Sequence, residues 1–336
     1  MKVLKILGGI VGVLAALYLI ACFVGPQKFD AGSSVEMDAP AYLVYNQITD
    51  LNTWKDWGPW MENDPNMKLN IGELAKGVGA KYTWESASEG NGALEIIEAE
   101  PNKSMKTKIE FDGFDGFSYG QWNIEEKDGK STVSWHMKSE DDIPFYLRGM
   151  FAMMNMSNMF TTGLDNIKKI VEPLAKEPKT YRGYTINVID FPAKNFLAKR
   201  DKVSFDAVSQ FYATNLGVLF AQVQKSGGEM DGMPYGLFYE WDEENAQTDM
   251  AAAIPVKAPI TVEGYSTIST EASKALTIDY YGDYSDSADA HYGIDEYIKE
   301  RNLPAAKLVM EEYVTDPTTE KDPAKWLTKI TYLVDL

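Results

Sequence analysis

Cysteine is almost absent from this 336-residue chain, and its one example, Cys22, sits inside an apolar N-terminal run. That excludes an intramolecular disulfide, a thiolate metal site and a cysteine nucleophile from everything downstream. Histidine is nearly as scarce, with His136 and His291 far apart in the chain, which argues against a His-rich metal centre. Basic charge is also short, with 32 Lys plus Arg against 50 Asp plus Glu and a formal net charge of −18. Residues 1–28 hold Lys2, Lys5 and Lys28 and no acid, so the acidic excess belongs to the rest of the chain, where it repels phosphate backbones and disfavours nucleic acid as a partner. No phosphate loop, dinucleotide fingerprint, Ser-His-Asp arrangement or low-complexity tract is present. No cofactor is implied.

Long apolar runs are missing too, except for Ile6–Val24, ILGGIVGVLAALYLIACFV, which carries no charge. At about 1.5 Å per residue this run just spans a hydrocarbon core of roughly 30 Å. With Lys2 and Lys5 before it, the run predicts a single-pass anchor with a cytoplasmic N-terminus and extracytoplasmic domains. Leu19-Ile20-Ala21-Cys22 resembles a bacterial lipoprotein processing site, so lipidation at Cys22 is the alternative, and a conventionally cleaved signal is the third. A chain that is 45% hydrophobic and 24% charged is otherwise neither disordered nor multi-spanning. Its length predicts two folded domains. Pro173 and Pro178 bracket a polar stretch that reads as a linker over 173–179, which places the anchor at 1–28, domain one at 29–172 and domain two at 180–336.

Domain one reads as a strand, SSVEM, then a short amphipathic helix carrying Leu43, Val44 and Ile48, then Trp54, Trp57 and Trp60 around a Gly58-Pro59 break. Five turn-separated β-rich segments follow, and a long helix over about 144–171 closes the domain. An antiparallel sheet curved around one helix leaves room for a cavity, and Met150, Met153, Met154, Met156 and Met159 on that helix suit a deformable apolar pocket, or equally plain core packing. His136, on an alternating strand, is a cavity candidate or an ordinary exposed histidine. SSVEMDAPAYLVYNQITDLNTWKDWGPW, GVGAKYTWE, EAEPNKSMKTKIEF and TVSWHM resemble the START-like/polyketide-cyclase superfamily (SRPBCC). The resemblance implies a helix-grip fold with a hydrophobic cavity, in a superfamily that includes lipid carriers, cyclases and hydratases.

Domain two repeats one pattern twice. A strand, a helix over about 204–225 with Val208, Phe211, Leu219, Phe220 and Val223 at helical spacing, and two strands are followed by a second strand, a helix over about 286–301 and two more strands. Tandem units of this kind predict a pseudo-symmetric pair of sheets facing each other across a groove. In LVMEEYV, alternation puts Val309, Glu311 and Tyr313 on one face and Leu308, Met310, Glu312 and Val314 on the other. Gly236 stands at the equivalent place in the first half, so the acid occurs once. EEYVTDPTTEKDPAKWLTKITYLV and YYGDYSD resemble the GyrI-like family of effector-binding domains. That resemblance implies a site in which a carboxylate and aromatic rings hold hydrophobic, often cationic, compounds, and it selects Glu311, with Tyr313, Tyr281, Tyr284 and Trp326 as ring candidates and Phe238 and Tyr239 behind them.

The fold class expected is therefore α+β: an N-terminal transmembrane helix, a helix-grip domain, then a two-repeat domain. The function expected is binding or sensing of a hydrophobic, lipid-like or cationic small molecule by a membrane-anchored protein. The alternatives are a metal-independent hydrolase using Glu311, and a cyclase or hydratase working in the first cavity.

Overall fold

The computed structural model describes residues 2–113, 116–140, 142–146, 148–149 and 157–335. It divides into two compact units, 1–177 and 178–336, and is α+β throughout.

In the first unit, helix α1 (Lys2–Val24) is followed by β1 (Asp30–Met37), α2 (Ala41–Thr49), α3 (Trp54–Trp57) and α4 (Trp60–Asn63). A meander comes next: β2 (Lys68–Ile71), β3 (Lys81–Glu85), β4 (Gly92–Glu100), β5 (Ser104–Phe111), β6 (Ser118–Lys127) and β7 (Lys130–Ser139). Each strand pairs antiparallel with the next, and β1 closes on β7, giving the order β1-β7-β6-β5-β4-β3-β2. Asp128-Gly129, both with positive φ, form the tight β6–β7 turn that this pairing requires.

Helix α5 (Ser157–Lys176) lays Phe160, Gly163, Leu164, Ile167 and Val171 on the sheet at helical spacing. Gly163 permits that approach, because a Cβ there would come within 2.8 Å of the Trp135 ring. The helix runs three residues past Pro173, where an ending was expected; a proline so near the last turn sacrifices only one intrahelical bond. Of the five methionines singled out, Met159 lies on the described helix, and Met150, Met153, Met154 and Met156 fall outside the described residues.

Helix α1 is long and apolar enough to cross a membrane, and most of its side chains are exposed. Its C-terminal end is seated against Phe145, Tyr146, Arg148 and Gly149. The Tyr18 hydroxyl donates to the Tyr146 carbonyl at 2.7 Å, Phe23 meets Phe145 edge-on at 4.9 Å, and a Cβ on Gly149 would stand 2.9 Å from the Cys22 sulfur.

The second unit contains β8 (Asn187–Phe191), β9 (Lys194–Ser204), α6 (Val208–Lys225), β10 (Tyr235–Asp242) and β11 (Gln247–Val256). It then repeats with β12 (Ser266–Thr270), β13 (Ser273–Tyr281), α7 (Ala288–Glu300), β14 (Leu308–Tyr313) and β15 (Leu327–Leu333). The order β12-β9-β11-β10-β14-β15-β13-β8 is a palindrome of the two halves, each lending its first strand to the edge of the other. The expected pair of separate sheets is thus one continuous sheet: β10 and β14 hydrogen-bond along the seam, so neither half keeps an unpaired inner edge. Helix α6 lies over β9 and β11, and α7 over β13 and β15. The seam strands between the two helices form the floor of a groove.

Candidate functional site

Side-chain alternation along β14 turns Leu308 and Met310 into the core on the far side of the sheet and leaves Val309, Glu311 and Tyr313 on the helix side, as the spacing predicted. Glu311 pairs across the seam with Gly236. A Cβ on Gly236 would overlap the Tyr212 hydroxyl and stand 2.9 Å from that of Tyr313, so the missing side chain is what lets α6 bring Tyr212 to the floor.

The Glu311 side chain is 13% exposed and both of its oxygens are held. The Tyr313 hydroxyl donates to Oε2 at 2.6 Å, and His291 Nε2 lies 2.8 Å from Oε1. Behind the imidazole, Nδ1 is 3.1 Å from the Tyr332 hydroxyl, and the Tyr313 and Tyr212 hydroxyls are hydrogen-bonded at 3.1 Å. Five side chains from β14, β15, α6 and α7 therefore form one unbroken chain of polar contacts. Burial pushes the Tyr313, Tyr212 and Tyr332 hydroxyls well above the usual tyrosine range, and the nearby Glu311 charge adds to this, so all three are O–H groups at neutral pH.

Aromatic rings extend the site away from the carboxylate. Tyr313 meets Tyr284 at 5.3 Å and 66°, and Tyr284 stacks on Trp326 at 5.0 Å and 29°. Both outer rings are pinned by their polar tips: the Tyr284 hydroxyl donates to the Thr315 carbonyl at 2.9 Å, and the Trp326 indole N–H to the Glu320 carbonyl at 2.9 Å. Their faces are thereby fixed without an entropy cost on contact.

Of the five residues expected here, the structure gathers Glu311, Tyr313, Tyr284 and Trp326. Tyr281 is not with them. Alternation on β13 buries Tyr280 and turns Tyr281 outward, 60% exposed and outside this row of rings. Phe238, on the floor beside Gly236, is half-buried, whereas Tyr239 turns to the far face, where Arg200 lies 3.6 Å over its ring. Sequence reasoning missed His291, Tyr212 and Tyr332. His291 flanks the buried Ala290–Ile294 stripe of α7, a position from which a helical side chain reaches the sheet beneath, and that was the available signal.

The first unit has its own cavity, of about 160 Å³, lined by Trp54, Trp60, Trp84, Trp135, Met137 and Met159 among others. That volume matches one aromatic ring or a short acyl segment. Trp135 and Met137 point into it, so His136 between them lies on the opposite face, over Gly32. A wide, polar cleft beside α6, reaching from Asp201 to Asn215, includes neither Glu311 nor the row of rings. Among the described residues no group of three or more His, Cys, Asp or Glu side chains is placed to hold a metal ion.

A groove with one carboxylate and fixed rings, together with an apolar cavity in a helix-grip fold, defines a pair of small-molecule-binding domains. Residues 184–334 match the model of the GyrI-like small molecule binding domain, and residues 38–172 that of Activator of Hsp90 ATPase homolog 1-like protein. The chain thus carries an AHSA1-like domain of SRPBCC type followed by a GyrI-like domain. Similar solved structures include the EcmrR C-terminal domain, at 18% identity and TM-score 0.41, covering 45% of this chain and 98% of that one. They also include norcoclaurine synthase from Thalictrum flavum, at 14% identity and TM-score 0.36, covering 48% of this chain and 94% of that one. A third is the Aha1 dimer from Colwellia psychrerythraea, at 13% identity and TM-score 0.33, covering 44% of this chain and 99% of that one. No curated protein sequence matches the chain.

Proposed function

We propose that this protein is a membrane-anchored receptor for hydrophobic small molecules, whose second domain holds a lipophilic cation over Glu311. The observation that carries this reading is the placement of a single, nearly buried carboxylate at the end of a row of fixed aromatic faces. A cation is attracted by the ring faces and by the carboxylate together, and the loss of water around the site strengthens both. In this reading Glu311 supplies the charge, and Tyr313, Tyr284 and Trp326 supply the wall. The first domain's cavity takes a smaller apolar group, with Met159 and Met137 adapting to its shape. No metal or cofactor is needed.

Anchoring through residues 6–24, with the N-terminus cytoplasmic and the domains at 29–172 and 180–336 outside, is supported by the length of α1 and by the lysines that precede it. Burial of the Cys22 sulfur beneath Gly149 favours the uncleaved anchor over lipidation.

The test is thermal unfolding of the full chain and of Glu311→Gln against lipophilic cations, fatty acids and polycyclic natural products. A compound at about 100 times its Kd stabilises by roughly 2.7 kcal/mol. A cation-selective shift lost in Glu311→Gln is expected. Shifts from uncharged lipids that survive the variant would transfer the function to the first domain. The Tyr313–Glu311 hydrogen bond also suits acid–base chemistry, so a hydrolase is the second reading, and product detected by mass spectrometry after incubation would favour it.

A further inference from the structure

His291 stands between Glu311 and the rest of α7, and its chemistry differs from that of the other groups in the chain. An ionised carboxylate can only accept, so in either charge state of the imidazole Nε2 carries the hydrogen donated to Glu311 Oε1. In the neutral ring Nδ1 then accepts from the Tyr332 hydroxyl, and in the imidazolium Nδ1 donates to that same oxygen. A tyrosine hydroxyl serves both roles by rotating its hydrogen. Protonation therefore needs no movement of heavy atoms, and the only thing that changes in the groove is its charge.

The groups around the imidazole make that charge decisive. From β14 it faces Glu311, and through it Tyr313. From β15 it faces Tyr332, and on its own helix Asp295 lies one turn on and interacts with it electrostatically. Tyr280 of β13 spends its hydroxyl on the Asp283 carbonyl, and Tyr212 of α6 reaches the chain only through Tyr313. No Lys or Arg is paired with Glu311 among the described residues, so His291 is the one cationic group that can neutralise it.

We propose that His291 sets the charge selectivity of the groove: as imidazole it leaves the Glu311 charge available to a bound cation, and as imidazolium it neutralises that charge and closes the groove to cations while leaving it open to neutral aromatic compounds. The inference rests on the reading of the groove as a cation site. It adds that the protein distinguishes cationic from neutral ligands according to whether this imidazole carries a second proton.

The test uses the full chain in nanodiscs and equilibrium dialysis, corrected with protein-free discs. The probes are tetraphenylphosphonium and its uncharged counterpart triphenylphosphine oxide, at pH 6 and pH 8. Tetraphenylphosphonium affinity is expected to fall roughly tenfold from pH 8 to pH 6, as a favourable unit charge is cancelled, while triphenylphosphine oxide binding stays level. His291→Gln keeps a donor for Glu311 and cannot be protonated, so it should bind the cation equally at both pH values; His291→Asn should do the same.

Binding that depends on Glu311 but responds to pH alike in wild type and both His291 variants overturns the inference alone. Binding indifferent to Glu311→Gln removes the cation-site reading and the inference with it. The chain's two histidines permit a readout without any probe: in ring ¹³C spectra Glu311→Gln should move the His291 resonances and leave those of His136 in place. Unmoved His291 resonances would break the proposed link.

Discussion

Gly236 lies directly across the strand pair from Glu311, and the volume its absent side chain leaves is taken by the hydroxyls of Tyr212 and Tyr313. Two halves with one fold thus differ at the seam where the site forms: at this position one contributes a carboxylate and the other no side chain.

Gly236→Ala should therefore act as a local wedge. The new methyl meets Tyr212 and Tyr313 rather than open space, and overpacking of this kind costs about 1–3 kcal/mol. Binding of a lipophilic cation should fall by about tenfold or more as Tyr313 loses its hold on Glu311. Gly217→Ala is the control: it lies in α6 with nothing within 4 Å of its Cβ position, and should stabilise by up to about 1 kcal/mol. Paired urea titrations and binding isotherms of the two variants check both statements.

Removal of the outer ring face by Trp326→Ala should weaken cation binding by about 1–2 kcal/mol and affect uncharged aromatic compounds less, because the ring quadrupole acts on charge. Equal losses for charged and uncharged compounds would show that the ring contributes contact area alone. Tyr281→Ala, on the outward face, should change neither.

In the first domain, Phe160 is fully buried, packs edge-on against Trp135 at 4.7 Å and borders the cavity. Phe160→Ala should cost about 3–5 kcal/mol and enlarge the cavity. The expected readout is a lower urea midpoint for the tryptophan-fluorescence transition, partly restored by a ring-sized apolar compound that fills the space.

Arg200 grips Asp249 across β9 and β11 with two hydrogen bonds, Nε to Oδ1 at 2.8 Å and Nη2 to Oδ2 at 2.7 Å. These bonds hold the Asp249 carboxyl below its ordinary value. A carboxyl depressed in the folded state contributes stability that is present above its unfolded value, near 3.9, and is lost as pH falls through the folded one. The pair is partly exposed, so the contribution is about 0–1 kcal/mol. Asp249→Asn should thus be less stable than wild type at pH 7 and indistinguishable from it at about pH 2, as measured by chemical denaturation at the two pH values.

If α1 spans the bilayer, Tyr18 lies about 9 Å along the helix axis from Val24, and the Tyr146 carbonyl it bonds lies at that depth with it. The exposed Phe145 ring, which meets Phe23 at the end of the run, should then sit at the headgroup boundary, and Tyr146 deeper. A cysteine placed at Tyr146 in a Cys22→Ala background should resist a membrane-impermeant maleimide in proteoliposomes and react in detergent. Cys22→Ala alone should leave the protein in the membrane after alkaline carbonate extraction.

Local patterns were enough to establish much of this protein. A charge-free run of membrane length, alternation in LVMEEYV, helical spacing in Val208, Phe211, Leu219 and Val223, and a doubled strand-helix-strand-strand order are all periodicities of covalent neighbours. They determined the α+β class, the two domains and the face that carries Glu311 and Tyr313. What lies beyond periodicity was decided by strand pairing and helix placement. Whether two half-sheets face each other or join depends on which edges zip, and here β10 found β14. That pairing set Gly236 opposite Glu311, and the two helices then delivered His291 to Glu311 from 20 residues away and Tyr212 to Tyr313 from 101. Tyr281 shows the converse: a tyrosine beside the right motif was turned outward by the two-residue period of its strand. Contacts between residues distant in sequence depend on register and packing, which no local pattern encodes.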